Sequence, residues 1–379
     1  MLYLFIISML ILFYHIFLYP ILLRFVGIFT KIKTKRSLTS FPTITVLCPA
    51  FNEEKHIEAK IKSFLQLDYP QDKIKLIVIS DDSTDKTNEI VRQYTAEHNI
   101  ELVVQKPRRG KPSGHNLVEP RIDTDFVLST DANSIFQPDA VLHLVKAITQ
   151  GENIGLVSGE LRLVKENKDD SGEGIYWKYE NFIKKQESKI VGLVGANGSI
   201  FLIRRELFSQ IHPASVDDFE RALIVREKKY QVKYCPQALV TEFVSEKSSS
   251  EIKRKIRIIS REWFALLRHH RLLNPFLYPA ASFVLISHKL IRWLLPVFSI
   301  FIIFSNLALY RSHRIFPIIL IAQLAVYFLG ILGLHLEKSD KQNALTKLPA
   351  YWVAMNYSAL LALYKFVSGQ QQTTWSTKR

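Results

Sequence analysis

The chain has 379 residues, 48% hydrophobic and 22% charged, with 50 basic against 35 acidic side chains and a formal net charge of +15. That length admits one large globular domain together with a set of membrane helices. Two cysteines, Cys48 and Cys235, exclude a disulfide framework and suit buried thiols in a reducing compartment. Much of the basic excess lies beside apolar runs, as in Lys253, Arg254, Lys255, Arg257, Arg261, Arg268 and Arg271, which suits anionic lipid headgroups. No nucleic-acid-binding module is present, so nucleic acid is set aside as a partner.

In chain order, the first feature is residues 1–23, which hold no Lys, Arg, Asp or Glu. Their summed insertion energy is on the order of −5 to −9 kcal/mol. With no basic start, an overlong apolar region and no small-x-small cleavage site, the segment predicts a retained signal anchor rather than a cleaved leader. Lys31, Lys33, Lys35 and Arg36 follow directly. Basic residues stay on the cytoplasmic side, so the expectation is an integral protein of the plasma (inner) membrane with its globular domain in the cytoplasm.

The globular part opens with a β-branched run at 43–48 that predicts a buried parallel strand. A helix is predicted next, capped by Asn52, with Ile57, Ile61 and Phe64 on one face. Strands over 75–80, 101–104 and 126–130 alternate with helices over 85–97 and 138–149. Such alternation predicts an α/β fold with a mostly parallel sheet, whose ligands bind at the carboxyl ends of the strands.

Those ends carry acid: Asp81-Asp82 after one strand, Asp131-Ala132-Asn133 after another, and Asp217-Asp218 at the start of a later helical stretch. One such cluster is commonly a cap or turn. Three in one sheet domain point to a cation or to bound donor groups, since gathered carboxylates otherwise repel. No G-x-G-x-x-G follows the first strand and no G-x-x-x-x-G-K-[ST] occurs, which removes the main support for dinucleotide and P-loop readings.

The order of these motifs resembles the inverting family 2 glycosyltransferases of GT-A fold, a group that includes cellulose, chitin and hyaluronan synthases. The likeness runs from about Thr43 to Leu273. Pro49-Ala50-Phe51-Asn52-Glu53 resembles the P-x-x-N-E segment that opens the donor pocket. Asp81 and Asp82 match the acids that meet the nucleotide's base and ribose, and Lys111 matches the lysine near the donor. Asp131 and Asn133 sit where the family has its metal-binding D-x-D, with Asn in the third position. Asn197 and Gly198 fall in a segment resembling the glycine-rich acceptor loop, and Asp217-Asp218 matches the E-D pair whose second acid is the catalytic base.

The resemblance implies transfer of a sugar, with inversion, from a nucleotide-diphosphate donor (a UDP-sugar) to a glycan or lipid-linked acceptor. A divalent cation, Mg or Mn, would bridge the leaving phosphates. The family's Q-x-x-R-W is reduced here to the arginine, Arg257, with Trp263 further on. A runner-up is therefore transfer of one sugar to a polyprenyl-(di)phosphate lipid. A reading from another class is a degenerate membrane scaffold or transport subunit, against which the retained acids argue. Four spans are few for enclosing a polymer channel without a homo-oligomer or a polysaccharide-export partner.

The basic helical stretch at 251–292 is expected to lie on the membrane surface. Apolar runs follow at 293–310, 315–335 and 348–364. The expected division is an anchor at 1–36, the GT-A domain at 37–250, interface helices at 251–292, and a membrane region with tail at 293–379. The tail, with Trp375, Lys378 and Arg379, loosely resembles the hyaluronan synthase W-G-T-R segment and is expected to fold back over the donor. That requires one apolar run not to cross, 348–364 with Pro349 and Asn356 being the choice.

Overall fold

A computed structural model describes residues 1–30, 38, 40–165, 168–171, 175–243, 248–337 and 343–370. The basic stop at 31–36 and the tail residues Trp375, Lys378 and Arg379 lie outside that set. The chain forms two compact units, a sheet unit containing every described strand and a helical unit that includes Met1–Phe25 and the chain from Leu285.

In the sheet unit the elements run β1 Ile44–Ala50, α2 Ile57–Leu65, β2 Ile74–Asp81, α3 Thr87–Thr95, β3 Ile100–Gln105 and α4 Lys111–Val118. They continue with β4 Phe126–Thr130, β5 Ile135–Phe136, α5 Ala140–Ile148, β6 Ile154–Lys165, β7 Lys168–Ser171 and α6 Ile175–Ile190. Last come β8 Ile200–Arg204, α7 Asp217–Glu227, β9 Gln231–Phe243 and α8 Ser248–Arg268, whose residues from Phe264 on belong to this unit. The sheet order is β3-β2-β1-β4-β8-β6-β9-β5, with β7 paired to β6. The strands β3, β2, β1 and β4 are parallel; β8 then runs antiparallel to both β4 and β6.

Every residue of β1 is buried, which explains its unbroken apolar run. Ile44, Val46 and Cys48 feed one face, together with Ile61 and Phe64 of α2 and Leu144 and Ile148 of α5. Leu47 feeds the other, with Ile77, Val127, Val118 of α4 and Val225 of α7. Each such side chain contributes about 1.5–3 kcal/mol by leaving water. Helices on both faces leave the strand ends as the open edge, and the acids stand there.

Three helices, α1 (Leu2–Phe29), α9 (Pro279–Leu309) and α10 (Ile315–Glu337), most of whose residues belong to the helical unit, are long and apolar enough to cross a membrane. The second of these begins at Pro279, ahead of the apolar run read at 293. Tyr14 Oη lies 2.7 Å from Ser287 Oγ, and Phe5 packs edge-on against Phe316 at 5.2 Å. The run 348–364 falls within α11, Ala344–Val367, capped by Asn343 and carrying Lys347 and Lys365 towards its ends. Gly330 and Gly333 of α10 face Val353 and Thr346, so these two helices approach closely and run antiparallel.

Candidate active site

The loops after β1 and β2 are stitched together. Asn52 does not cap α2, whose N-terminus has no side-chain cap; it sits instead in the left-handed region at φ 52°. Its Oδ1 accepts from the Thr84 amide at 2.8 Å, and its own amide donates to Ser83 Oγ at 3.1 Å. The Glu53 amide donates to Thr87 Oγ1 at 2.9 Å. Pro49 and Ala50 are buried in β1. A short polar side chain tolerates the left-handed turn and competes for nearby amides, which is why the sequence signal for a cap appears here without a cap.

Asp81 is buried at the end of β2 and accepts from the amides of Arg109 at 2.8 Å and Gly110 at 3.0 Å. Arg108 lies 3.5 Å away and stacks over Phe51. The Asp81 carboxylate therefore shapes the 105–110 loop, while the half-buried Asp82 follows it at φ 61°. Gly110, at φ 92°, takes a conformation open to glycine and turns the chain into α4 with Lys111 as its first residue.

Lys111 gathers the remaining acids. Its Nζ donates to Asp131 Oδ1 at 2.8 Å and to the Gly198 carbonyl at 3.1 Å, and lies 3.3 Å from Asp217 Oδ2. Burial would lower its pKa, but Asp131 and Asp217 outweigh that and hold the ammonium above the usual lysine range. Asp217 is 8% exposed whereas Asp131 is 37% exposed, so Asp131 is the more open carboxylate. Asn133, two residues on, is buried.

Asp218 sits over the acceptor-loop candidate. The Ala196 amide donates to its backbone carbonyl at 3.2 Å, and a Cβ added at Gly198 would lie 2.9 Å from its Oδ2. Gly198→Ala is therefore expected to push this carboxylate aside. The effect should be at least about tenfold on kcat with little change in the donor KM, read by steady-state kinetics. Asn197 anchors the loop, its amide donating to Ser158 Oγ at 2.9 Å and its Oδ1 accepting from the Ser199 amide at 3.2 Å. Arg257 belongs to the helical unit.

Several buried polar groups here were not picked out from sequence. His115 of α4 is wholly buried, 3.8 Å from Asp217 and beside Phe208; burial, then Arg221 and Lys111, keep it neutral. Arg221 of α7 is also buried and stacks on the same ring at 3.6 Å. Beneath Asp131 lie Lys60, Ser199 and Glu242. The Cys48 thiol, pushed up to about 12 by burial, is inert. A cavity of 880 Å³ lined by Phe41, Asp125, Arg204 and Arg205 lies at the opposite edge of the sheet, away from all of these acids.

Helix α7, whose start carries Asp217 and Asp218, is tied to the end of α8 and the residue after it. Glu220 accepts from Arg268 Nε at 3.1 Å, and His269 lies 3.4 Å from Glu220 and 2.8 Å from Glu227. Burial lowers the His269 pKa, but its contacts with the two glutamates raise it to a net value above the ordinary 6.5. A raised folded pKa gives stability that is complete below about 6.5 and is lost as pH climbs through the folded value. Thermal denaturation between pH 6 and 8 should accordingly show the stability difference between wild type and His269→Gln shrinking as pH rises.

Residues 45–211 match the family described as Glycosyl transferase family 2. Residues 45–211 are a family 2 glycosyltransferase domain. The chain is 27% identical over 232 residues to the "Probable glycosyltransferase YdaM" of Bacillus subtilis, a match covering 55% of this chain and 53% of that protein. To the "Poly-beta-1,6-N-acetyl-D-glucosamine synthase" of Staphylococcus epidermidis it is 24% identical over 221 residues, covering 56% and 53%. The chain thus spans about half the length of the curated relatives it matches. Among solved structures, a mannosyltransferase from Pyrobaculum calidifontis in complex with GDP-Man and Mn2+ aligns with a TM-score of 0.69 and 22% identity, covering 97% of this chain and all of that one. The glycosyltransferase domain has the GT-A fold.

Proposed function

We propose that this domain transfers a sugar, with inversion, from a nucleotide-diphosphate donor to a glycan or lipid-linked acceptor, on the cytoplasmic face of the plasma (inner) membrane. What carries the reading is the gathering of Asp131, Asp217 and Asp218 around Lys111 and Gly198 at the carboxyl edge of the sheet. Pro49, Ala50, Asn52, Glu53, Asp81 and Asp82 build the donor side, with Lys111 placed to meet phosphate. Asp218 acts as general base on the acceptor hydroxyl. Asp217 is engaged by Lys111 and buried, which speaks against its serving as the nucleophile of a retaining route.

Among the described residues no group of three or more His, Cys, Asp or Glu is set to hold a metal ion. A divalent cation of the Mg or Mn type nonetheless fits, because such ions commonly take one or two carboxylates and complete their shell with phosphates and water. Asp131 would hold it, with Asn133 beside it, and the cation would supply charge stabilisation to the departing diphosphate. The basic residues after α1 support the cytoplasmic orientation.

A second reading limits the transfer to one sugar on a polyprenyl-(di)phosphate lipid. It is favoured by Trp263, which is 9% exposed and packed against Trp293 at 4.9 Å and Phe366 at 5.9 Å. An indole held in that aromatic cluster is withdrawn from stacking on an acceptor sugar. Membranes supplied with radiolabelled nucleotide sugars separate the two. A short product extracted into organic solvent supports single transfer, and a high-molecular-weight product supports polymer synthesis. No labelled product of either kind would contradict the function proposed here.

A further inference from the structure

The inner face of α2 carries Ile57, Ile61 and Phe64, and at helical spacing within that apolar stripe stands Lys60, with 0% of its surface exposed. Burying an ammonium there is costly, and burial pulls its pKa down to about 7. An apolar residue would fill the position at lower cost, so the contacts of Lys60 need a reason. Its Nζ donates to Thr130 Oγ1 at 2.8 Å and to the Ser134 carbonyl at 2.6 Å, and lies 3.3 Å from the centre of the Phe136 ring. Thr130 and Ser134 are the two ends of the turn that presents Asp131, Ala132 and Asn133.

Glu242, near the end of β9 and 7% exposed, holds the same turn from another side. Ser134 Oγ donates to it at 2.5 Å and Ser199 Oγ at 2.7 Å. Ser199 Oγ also lies 3.4 Å from Asp131 Oδ2, and Thr130 Oγ1 donates to the Ser199 carbonyl at 2.8 Å. One cation and one anion thus grip Ser134 by its carbonyl and its hydroxyl, and each reaches Asp131 through a single intervening residue.

We propose that Lys60 and Glu242 are positioning residues that fix the Asp131 carboxylate for a divalent cation, acting through Thr130, Ser134 and Ser199. This rests on the reading of Asp131 as the cation's ligand. Partners of this kind around a metal ligand commonly change metal affinity by about 10–100-fold. Breaking only one half of the pair also leaves a buried charge uncompensated, so the informative variant removes both.

The test is Mn²⁺ binding to the full-length protein in detergent, followed by electron paramagnetic resonance with UDP or GDP present, alongside the melting temperature. The double variant Lys60→Met/Glu242→Gln is expected to melt near wild type yet bind Mn²⁺ about tenfold more weakly. Ser134→Ala, which introduces no charge, should weaken binding about threefold and serves if the double variant does not fold. Asp131→Ala separates the two levels of the argument. If it binds Mn²⁺ like wild type, the ligand assignment fails. If it loses Mn²⁺ while the folded double variant or Ser134→Ala retains wild-type binding, the ligand stands and the positioning role is overturned.

Discussion

Replacing Asp218 by Asn is expected to abolish sugar transfer while donor binding survives. The amide is nearly the same size as the carboxylate, so the contact with Gly198 and the loop bonded to residue 218 should persist. What is lost is basicity. A positioned general base is commonly worth 10²–10⁴-fold, or roughly 3–5 kcal/mol in the barrier. Steady-state rates, with donor affinity measured separately by calorimetry, check this. A variant retaining more than about a tenth of the wild-type rate would remove Asp218 from the role.

Asp131→Ala carries the other large effect. Asp131 leaves the buried strand β4 at the open edge of the sheet, and its side chain is 37% exposed, the access a cation needs. A bound cation contributes several kcal/mol to a developing phosphate charge, so kcat/KM should fall on the order of a thousandfold. The residual rate should no longer respond to Mn²⁺. A full Mn²⁺ response in the variant would show that another group holds the ion. Part of the loss would reach Lys111, which gives up its 2.8 Å partner, so the nucleotide KM should be recorded as well.

The centre of the parallel half of the sheet was legible because β1 and β4 are apolar-rich runs buried on both faces, and β2 nearly so. The later strands were not. β9 carries Lys233, Pro236 and Gln237 within its span. Their pairing with β4 and β6 is set by distant partners rather than by local pattern. In the site, acids following strands were visible because carboxylates after apolar runs stand out. Lys60, Ser199 and Glu242 were not, since each finds its partners far along the chain. Lys60 alone left a trace, a charge inside the stripe Ile57, Ile61 and Phe64. Asn52 shows the reverse case: a residue type that reads locally as a cap is spent on joining two loops.

Nucleoside diphosphate release by the purified full-length protein, across a panel of nucleotide sugars with Mg²⁺ or Mn²⁺, tests the central claim most directly. With at least one donor and an acceptor-containing membrane extract, release is predicted that stops on chelation and is absent in Asp218→Asn. A folded protein that releases nothing from any nucleotide sugar would contradict the assignment of glycosyl transfer to this cluster of acids.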